Sequence, residues 1–176
     1  MLRQADRGKI RSGKKFLSAT VRSDMHPVRV LFLCTGNSCR SQMAEGLLRR
    51  IVPPAVVEVA SAGTNPKPVH PGAIRTMQEI LVDISAQRSK PLDSFLGQEL
   101  DYVITLCEEA QKACPTFPGA AERLHWSLPD PAAAPGAEEE RLAAFRAVRN
   151  ELATRIDGML EGIFARLLEK AYATSH

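Results

Sequence analysis

The stretch Val28-Arg-Val-Leu-Phe-Leu33 runs straight into Cys34-Thr-Gly-Asn-Ser-Cys-Arg-Ser41, and a helical pattern opens at once in Ser41-Gln-Met-Ala-Glu-Gly-Leu-Leu-Arg-Arg50. A short, nearly continuous apolar run reads as a strand buried on both faces. Such strands belong to parallel sheets, whose connections are usually helices. The rest of the chain repeats the alternation. Residues 56–60, 101–106 and 122–126 read as further strands, and 71–80 as a helix with Pro71 in its first turn. Residues 61–64 read as a turn, with a helical turn near Phe95. Leu142, Phe145, Val148, Leu152, Ile156, Leu160, Ile163, Phe164 and Leu167 mark one long helix from about 138 to 170. The predicted fold is α/β: a single domain with a four-stranded parallel sheet flanked by helices on both faces. Ligands of such sheets bind beyond the strand C-termini. Cys34, Cys107 and Asp130 each follow a strand end, so all three can meet at one edge.

The loop 34–41 has the parts of an anion cradle. Successive backbone N–H groups form a concavity, and the following helix adds its positive end. Arg40 supplies a planar fork that fits two oxygens at once. Gly36 is expected to take a backbone conformation closed to other residues, and Asn37 tolerates left-handed geometry. Thr35, Ser38, Cys39 and Ser41 complete the wall. Cys34 lies at the bottom of a positive pocket, a setting that favours thiolate over thiol, with the Ser41 hydroxyl placed to donate to it. Cys, Gly, Asn, Arg and Ser at this spacing point to nucleophilic attack on a tetrahedral oxyanion. Asp130, in Trp126-Ser-Leu-Pro-Asp-Pro131, is the candidate general acid for the expelled oxygen.

Composition bounds the alternatives. A chain of 176 residues supports one domain, and no apolar run approaches the ~20 residues that span a membrane. Residues 1–25 hold seven of the 23 Lys and Arg but two of the 20 Asp and Glu. The remainder has 16 basic against 18 acidic residues, so its charge is −2 although the whole chain is +3. A mildly acidic body gives no support to nucleic-acid binding. Residues 1–26 are expected to be a basic, disordered extension, or a start assigned upstream of Met25. Residues 27–176 are expected to form the domain. The four Cys lack paired C-x2-C spacing and the four His are scattered, which argues against a metal centre.

Cys-x5-Arg-Ser after the first strand resembles the low-molecular-weight protein tyrosine phosphatase superfamily. The longer string Cys-Thr-Gly-Asn-Ser-Cys-Arg-Ser-Gln-Met-Ala-Glu-Gly is more similar to one branch of it, the thioredoxin-coupled arsenate reductases. The likeness spans about residues 27–168 and extends to the pair in Leu106-Cys107-Glu-Glu-Ala-Gln-Lys-Ala-Cys114-Pro115. It implies a cytoplasmic, monomeric enzyme whose substrate is arsenate, with phosphate or sulfate competing. Catalysis would use Cys34, Arg40, Cys107, Cys114 and Asp130, with Cys39 a non-essential loop residue and thioredoxin as reductant. Seven helical residues span about 10.5 Å, whereas a disulfide needs Cα atoms about 4.4–6.8 Å apart. A bond between Cys107 and Cys114 therefore requires the segment to unwind. Two buried structural cysteines are the alternative for this pair taken alone.

Some members of that branch hold potassium through residues matching Asn37, Glu45 and Ser61 and polar side chains in the segment 85–90. Here Arg88 and Lys90 place positive charge there, which speaks against potassium. A phosphatase acting through a phosphocysteine at Cys34 is the alternative reading. Against it, Pro131-Ala-Ala-Ala-Pro-Gly136 offers no aromatic wall for a phosphotyrosine ring. A non-catalytic thiol sensor would need neither Asp130 nor the spaced Cys pair.

Overall fold

A computed structural model describes residues 26–118 and 122–173. The N-terminal extension expected over residues 1–26 lies outside them except for His26. Four strands form one parallel sheet in the order β2-β1-β3-β4. They are β1 (Val28–Cys34), β2 (Val57–Gly63), β3 (Tyr102–Thr105) and β4 (Glu122–His125). The helices are α1 (Arg40–Ile51), α2 (Pro71–Gln78), α3 (Glu108–Ala113) and α4 (Glu138–Ala173), with 3-10 turns at Leu92–Phe95 and Pro131–Ala133. The α/β architecture read from the sequence is the one found.

β1 is central because it is the apolar run. Val30, Leu31, Phe32, Leu33 and Cys34 are all buried, and the strand pairs with β2 on one side and β3 on the other. Chain order reverses at β1. Since parallel crossovers are right-handed, α1 covers one face and α3 the other. α4 packs along α1 and α2, burying Leu142, Phe145, Val148, Leu152, Ile156, Leu160 and Ile163. Phe164, counted in that stripe from its spacing, is exposed instead. On β4's side Trp126 closes the core against Phe32, ring centroids 5.9 Å apart. Among the described residues no helix is long and apolar enough to cross a membrane.

One element departs from expectation in a way that shapes the site. Residues 61–63 continue β2 instead of turning, because the ladder runs on to pair Cys34 with Gly63. That extension brings the Gly63 backbone against the loop after β1. A Cβ there would lie 2.6 Å from the Thr35 carbonyl oxygen and 2.8 Å from the Asn37 nitrogen. Both neighbours are backbone, so neither can swing aside. Gly63→Ala should therefore destabilise the fold by about 1–3 kcal/mol, the usual range for overpacking. Urea unfolding followed by Trp126 fluorescence measures this, and an unchanged midpoint would show that the loop yields freely.

Candidate active site

The loop between β1 and α1 is shaped by where its carbonyls go. The amides of Thr64, Asn65, Lys67 and His70 donate to the carbonyls of Cys34, Thr35, Gly36 and Ser38, at 3.4, 2.8, 2.8 and 2.9 Å. With these carbonyls committed outward, the amide edge of the loop is left for an anion. The turn is made at Asn37, which is fully buried with φ 43°. Gly36, expected to supply the special backbone, has no positive φ. Its lack of a side chain matters instead because a Cβ would meet the Ser38 hydroxyl at 2.9 Å.

Asn37 holds its left-handed turn because every polar atom of its side chain is engaged. Its amide donates to Ser41 Oγ and Ser61 Oγ, both at 2.8 Å. Its Oδ1 accepts from the Lys90 amide at 2.7 Å and from Gln42 Nε2 at 3.1 Å. Ser41 Oγ thus already accepts a bond, and its own proton is free for Cys34 Sγ, 2.9 Å away. The Asn37 amide donates to the same sulfur at 3.1 Å. Two donors on one sulfur suit a thiolate. In the same loop, burial pushes the Cys39 thiol up to about 12.

Beneath the loop, Glu45 is buried and accepts from Ser61 Oγ. Its charge is met by Arg49 at 2.6 Å and by Lys90 Nζ at 3.2 Å. Lys90 thus serves twice, its amide on Asn37 and its ammonium on Glu45. A potassium ion does not fit this donor set, since two side-chain cations already neutralise the one buried carboxylate.

Arg40 is nearly buried at the other wall. Its Nη1 donates to the Leu128 carbonyl at 3.0 Å, and Nη2 lies 3.7 Å from Asp130 Oδ2. Its buried Nε has no partner among the described residues, a donor that an oxyanion oxygen would satisfy. Asp130 is half exposed at the mouth, Oδ1 accepting from the Ala132 amide at 3.2 Å. Cys107 is buried at the end of β3, Sγ 3.4 Å from Thr35 Oγ1. Cys114, half-buried, lies at the far end of α3. All four cysteines are free thiols.

A cavity of about 630 Å³ is lined by Cys34, Thr35, Gly36, Ser38, Cys39, Arg40, Asp130 and Ala132, with Lys67, Pro68, His70 and Glu109 around it, whereas Asn37, Ser41, Cys107 and Cys114 lie outside its lining. Lys67, Pro68, His70 and Glu109 escaped sequence reading. Nothing local marks the segment 64–70, whose amides shape the loop from a distance. His70 is also the N-cap of α2, Nδ1 accepting from the Gly72 amide at 3.0 Å, so its remaining proton is on Nε2. Among the described residues no Phe, Tyr or Trp lines the cavity. Among the described residues no cluster of three or more His, Cys, Asp or Glu could hold a metal ion.

The chain is 47% identical over 132 residues to an arsenate reductase of Halalkalibacterium halodurans, covering 75% of this chain and 94% of that protein. An arsenate reductase solved in its oxidised state superposes with a TM-score of 0.65 at 34% identity, covering 77% of this chain and 98% of the other. A thioredoxin-dependent arsenate reductase of Corynebacterium glutamicum superposes with a TM-score of 0.63 at 29% identity, covering 81% and 65%. The low molecular weight phosphotyrosine protein phosphatase family matches residues 29–171, nearly all of the described chain, and this protein belongs to that family.

Proposed function

We infer that this chain reduces arsenate to arsenite through a relay of three thiols, in a domain that begins near residue 27. The observation that carries the reading is the placing of three cysteines. Cys34 sits in an oxyanion cradle, Cys107 reaches the same loop through Thr35, and Cys114 lies one short helix away. The named arsenate reductases it resembles support the substrate, and the thioredoxin-dependent one supports the reductant.

Arsenate enters the cradle and takes hydrogen bonds from the loop amides and Arg40. The Cys34 thiolate attacks arsenic(V), and Asp130 gives its proton to the departing oxygen, which leaves as water. The Cys107 thiolate then attacks the Cys34 sulfur. A Cys34–Cys107 disulfide forms, the electron pair of the sulfur–arsenic bond passes to arsenic, and arsenite departs as arsenic(III). Cys114 next attacks Cys107, and Cys34 leaves as the thiolate that begins another cycle. Thioredoxin, a dithiol, reduces the Cys107–Cys114 bond and becomes a disulfide itself.

The family also supports a second reading. Cys34, Arg40 and Asp130 would equally cleave a phosphate monoester through a phosphocysteine. A wall without Phe, Tyr or Trp disfavours an aryl phosphate, so phosphatase activity is expected to be residual.

Arsenate-dependent NADPH oxidation coupled through thioredoxin and thioredoxin reductase tests the relay. The parent chain should turn over continuously, and Cys114→Ser should stop after one cycle. Sustained turnover by that variant would refute the relay. Hydrolysis of an aryl phosphate with no arsenate reduction would move the chain to the phosphatase reading. Asp130→Asn should lower turnover by about 10²–10⁴-fold, the usual contribution of a positioned acid, while phosphate still protects Cys34 from alkylation. Iodoacetamide mapping separates Cys39 from the working thiols. With its thiol pushed up to about 12, Cys39 should stay unlabelled at pH 7–9 while Cys34 reacts. Labelling of Cys39 at the rate of Cys34 would contradict its burial.

A further inference from the structure

Helix α3 separates the two distal cysteines, and it is fastened to the edge strand β4 at both ends. At its first residue, Glu108 Oε1 accepts from Ser127 Oγ at 3.1 Å and lies 3.1 Å from His125 Nε2. At its last turn, Arg123 Nη2 donates to the Cys114 carbonyl at 3.2 Å. Arg123 and His125 both belong to β4, and Ser127 lies two residues beyond its end.

The His125 contact is supported from behind. Its Nδ1 lies 2.8 Å from Thr105 Oγ1, which is also 3.3 Å from the Leu124 carbonyl. If Thr105 gives its proton to Nδ1, Nε2 carries the N–H and donates to Glu108. That arrangement satisfies the carboxylate. The His125 bond first, and the Ser127 bond second, hold the Glu108 carboxyl below the usual range, so it is ionised at neutral pH.

α3 needs such support. It has six residues, no side-chain cap at Cys107 and one buried residue, Ala110. Helices this short are marginal by themselves in water. Yet its winding keeps Cys107 and Cys114, its two caps, about 10 Å apart along the axis, too far for a disulfide.

We propose that β4, gripping Glu108 through His125 and Ser127 and the Cys114 carbonyl through Arg123, holds α3 in its wound, reduced form and so sets the Cys107–Cys114 dithiol–disulfide equilibrium. The proposal rests on the thiol relay and adds residues that it does not contain. Glu108, His125, Ser127 and Arg123 are positioning residues that act through the helix. In the step they govern, Cys114 gives its proton to solvent and its thiolate attacks Cys107. The Cys107–Cys114 bond forms as the Cys34–Cys107 bond breaks, with the electron pair leaving on Cys34. Unwinding α3 loosens the grip of β4, and reduction of the new disulfide by a dithiol restores it.

The test uses the full-length chain carrying Cys34→Ser, equilibrated with reduced and oxidised dithiothreitol. The fraction of Cys107–Cys114 disulfide is read by mass spectrometry after acid quenching. Glu108→Ala should raise the equilibrium constant for the disulfide about three- to tenfold, making the pair about 14–30 mV more reducing. Alanine is the better helix former, so propensity alone would shift the equilibrium the other way. Glu108→Gln loses the charge but keeps an oxygen for Ser127 and His125, and it should stay within about twofold of the parent. An unshifted Ala variant, or a Gln variant shifted as far as Ala, would overturn the clamp while leaving the relay intact. A parent chain that forms no Cys107–Cys114 disulfide at any ratio would overturn the relay and the clamp with it. Hydrogen exchange gives a second readout in the reduced chain. The Gln111 amide, bonded to the Cys107 carbonyl at 3.0 Å, should exchange faster in Glu108→Ala and unchanged in Glu108→Gln. Equal exchange in parent and Ala variant would count against the clamp.

Discussion

The site depends on a division of labour within one loop, whose carbonyls are taken by a neighbouring segment. Residues 64–70 collect the carbonyls of Cys34, Thr35, Gly36 and Ser38, and Asn37 turns the chain with its side chain fully engaged. An anion cradle requires amides that point to one place and carbonyls that do not. Without the outer segment those carbonyls would seek partners inside the cavity, and the loop would lose its affinity for negative charge. Gly63 belongs to the same arrangement, because only a bare Cα lets the end of β2 lie against the loop.

Charge is balanced in two layers. In the upper one, Arg40 faces Asp130 across the mouth and keeps one buried N–H without a partner among the described residues. In the lower one, Glu45 lies buried between Arg49 and Lys90. A buried carboxylate without such partners would weaken the fold. With them it becomes a fixed post for Ser61, hence for Asn37, and hence for the loop. Lys90 ties the loop to the lower layer, its backbone on Asn37 and its ammonium on Glu45.

Those parts of the fold that rest on local pattern were legible in the sequence. The run 28–33 marked the central strand, and residues 138–170 marked the long helix to within a few residues. Cys34, Arg40 and Ser41 could be placed because their spacing fits one loop geometry. Contacts across the sheet were not legible. The extension of β2 through Gly63 is decided by pairing with β1, which no local property of Ser61-Ala-Gly63 reveals. Lys67, His70 and Glu109 reach the cavity through tertiary placement. Asn37 rather than Gly36 takes the left-handed turn, because both residue types tolerate that backbone and only the surrounding hydrogen bonds decide which one adopts it.

Ala110 is the one residue of α3 that the core encloses. Opening this segment consequently exposes little apolar surface, and the sheet beneath it stays closed. The proposed relay would melt and refreeze a small piece of the protein while its global stability stands apart, leaving motion and thermal endurance free to evolve separately.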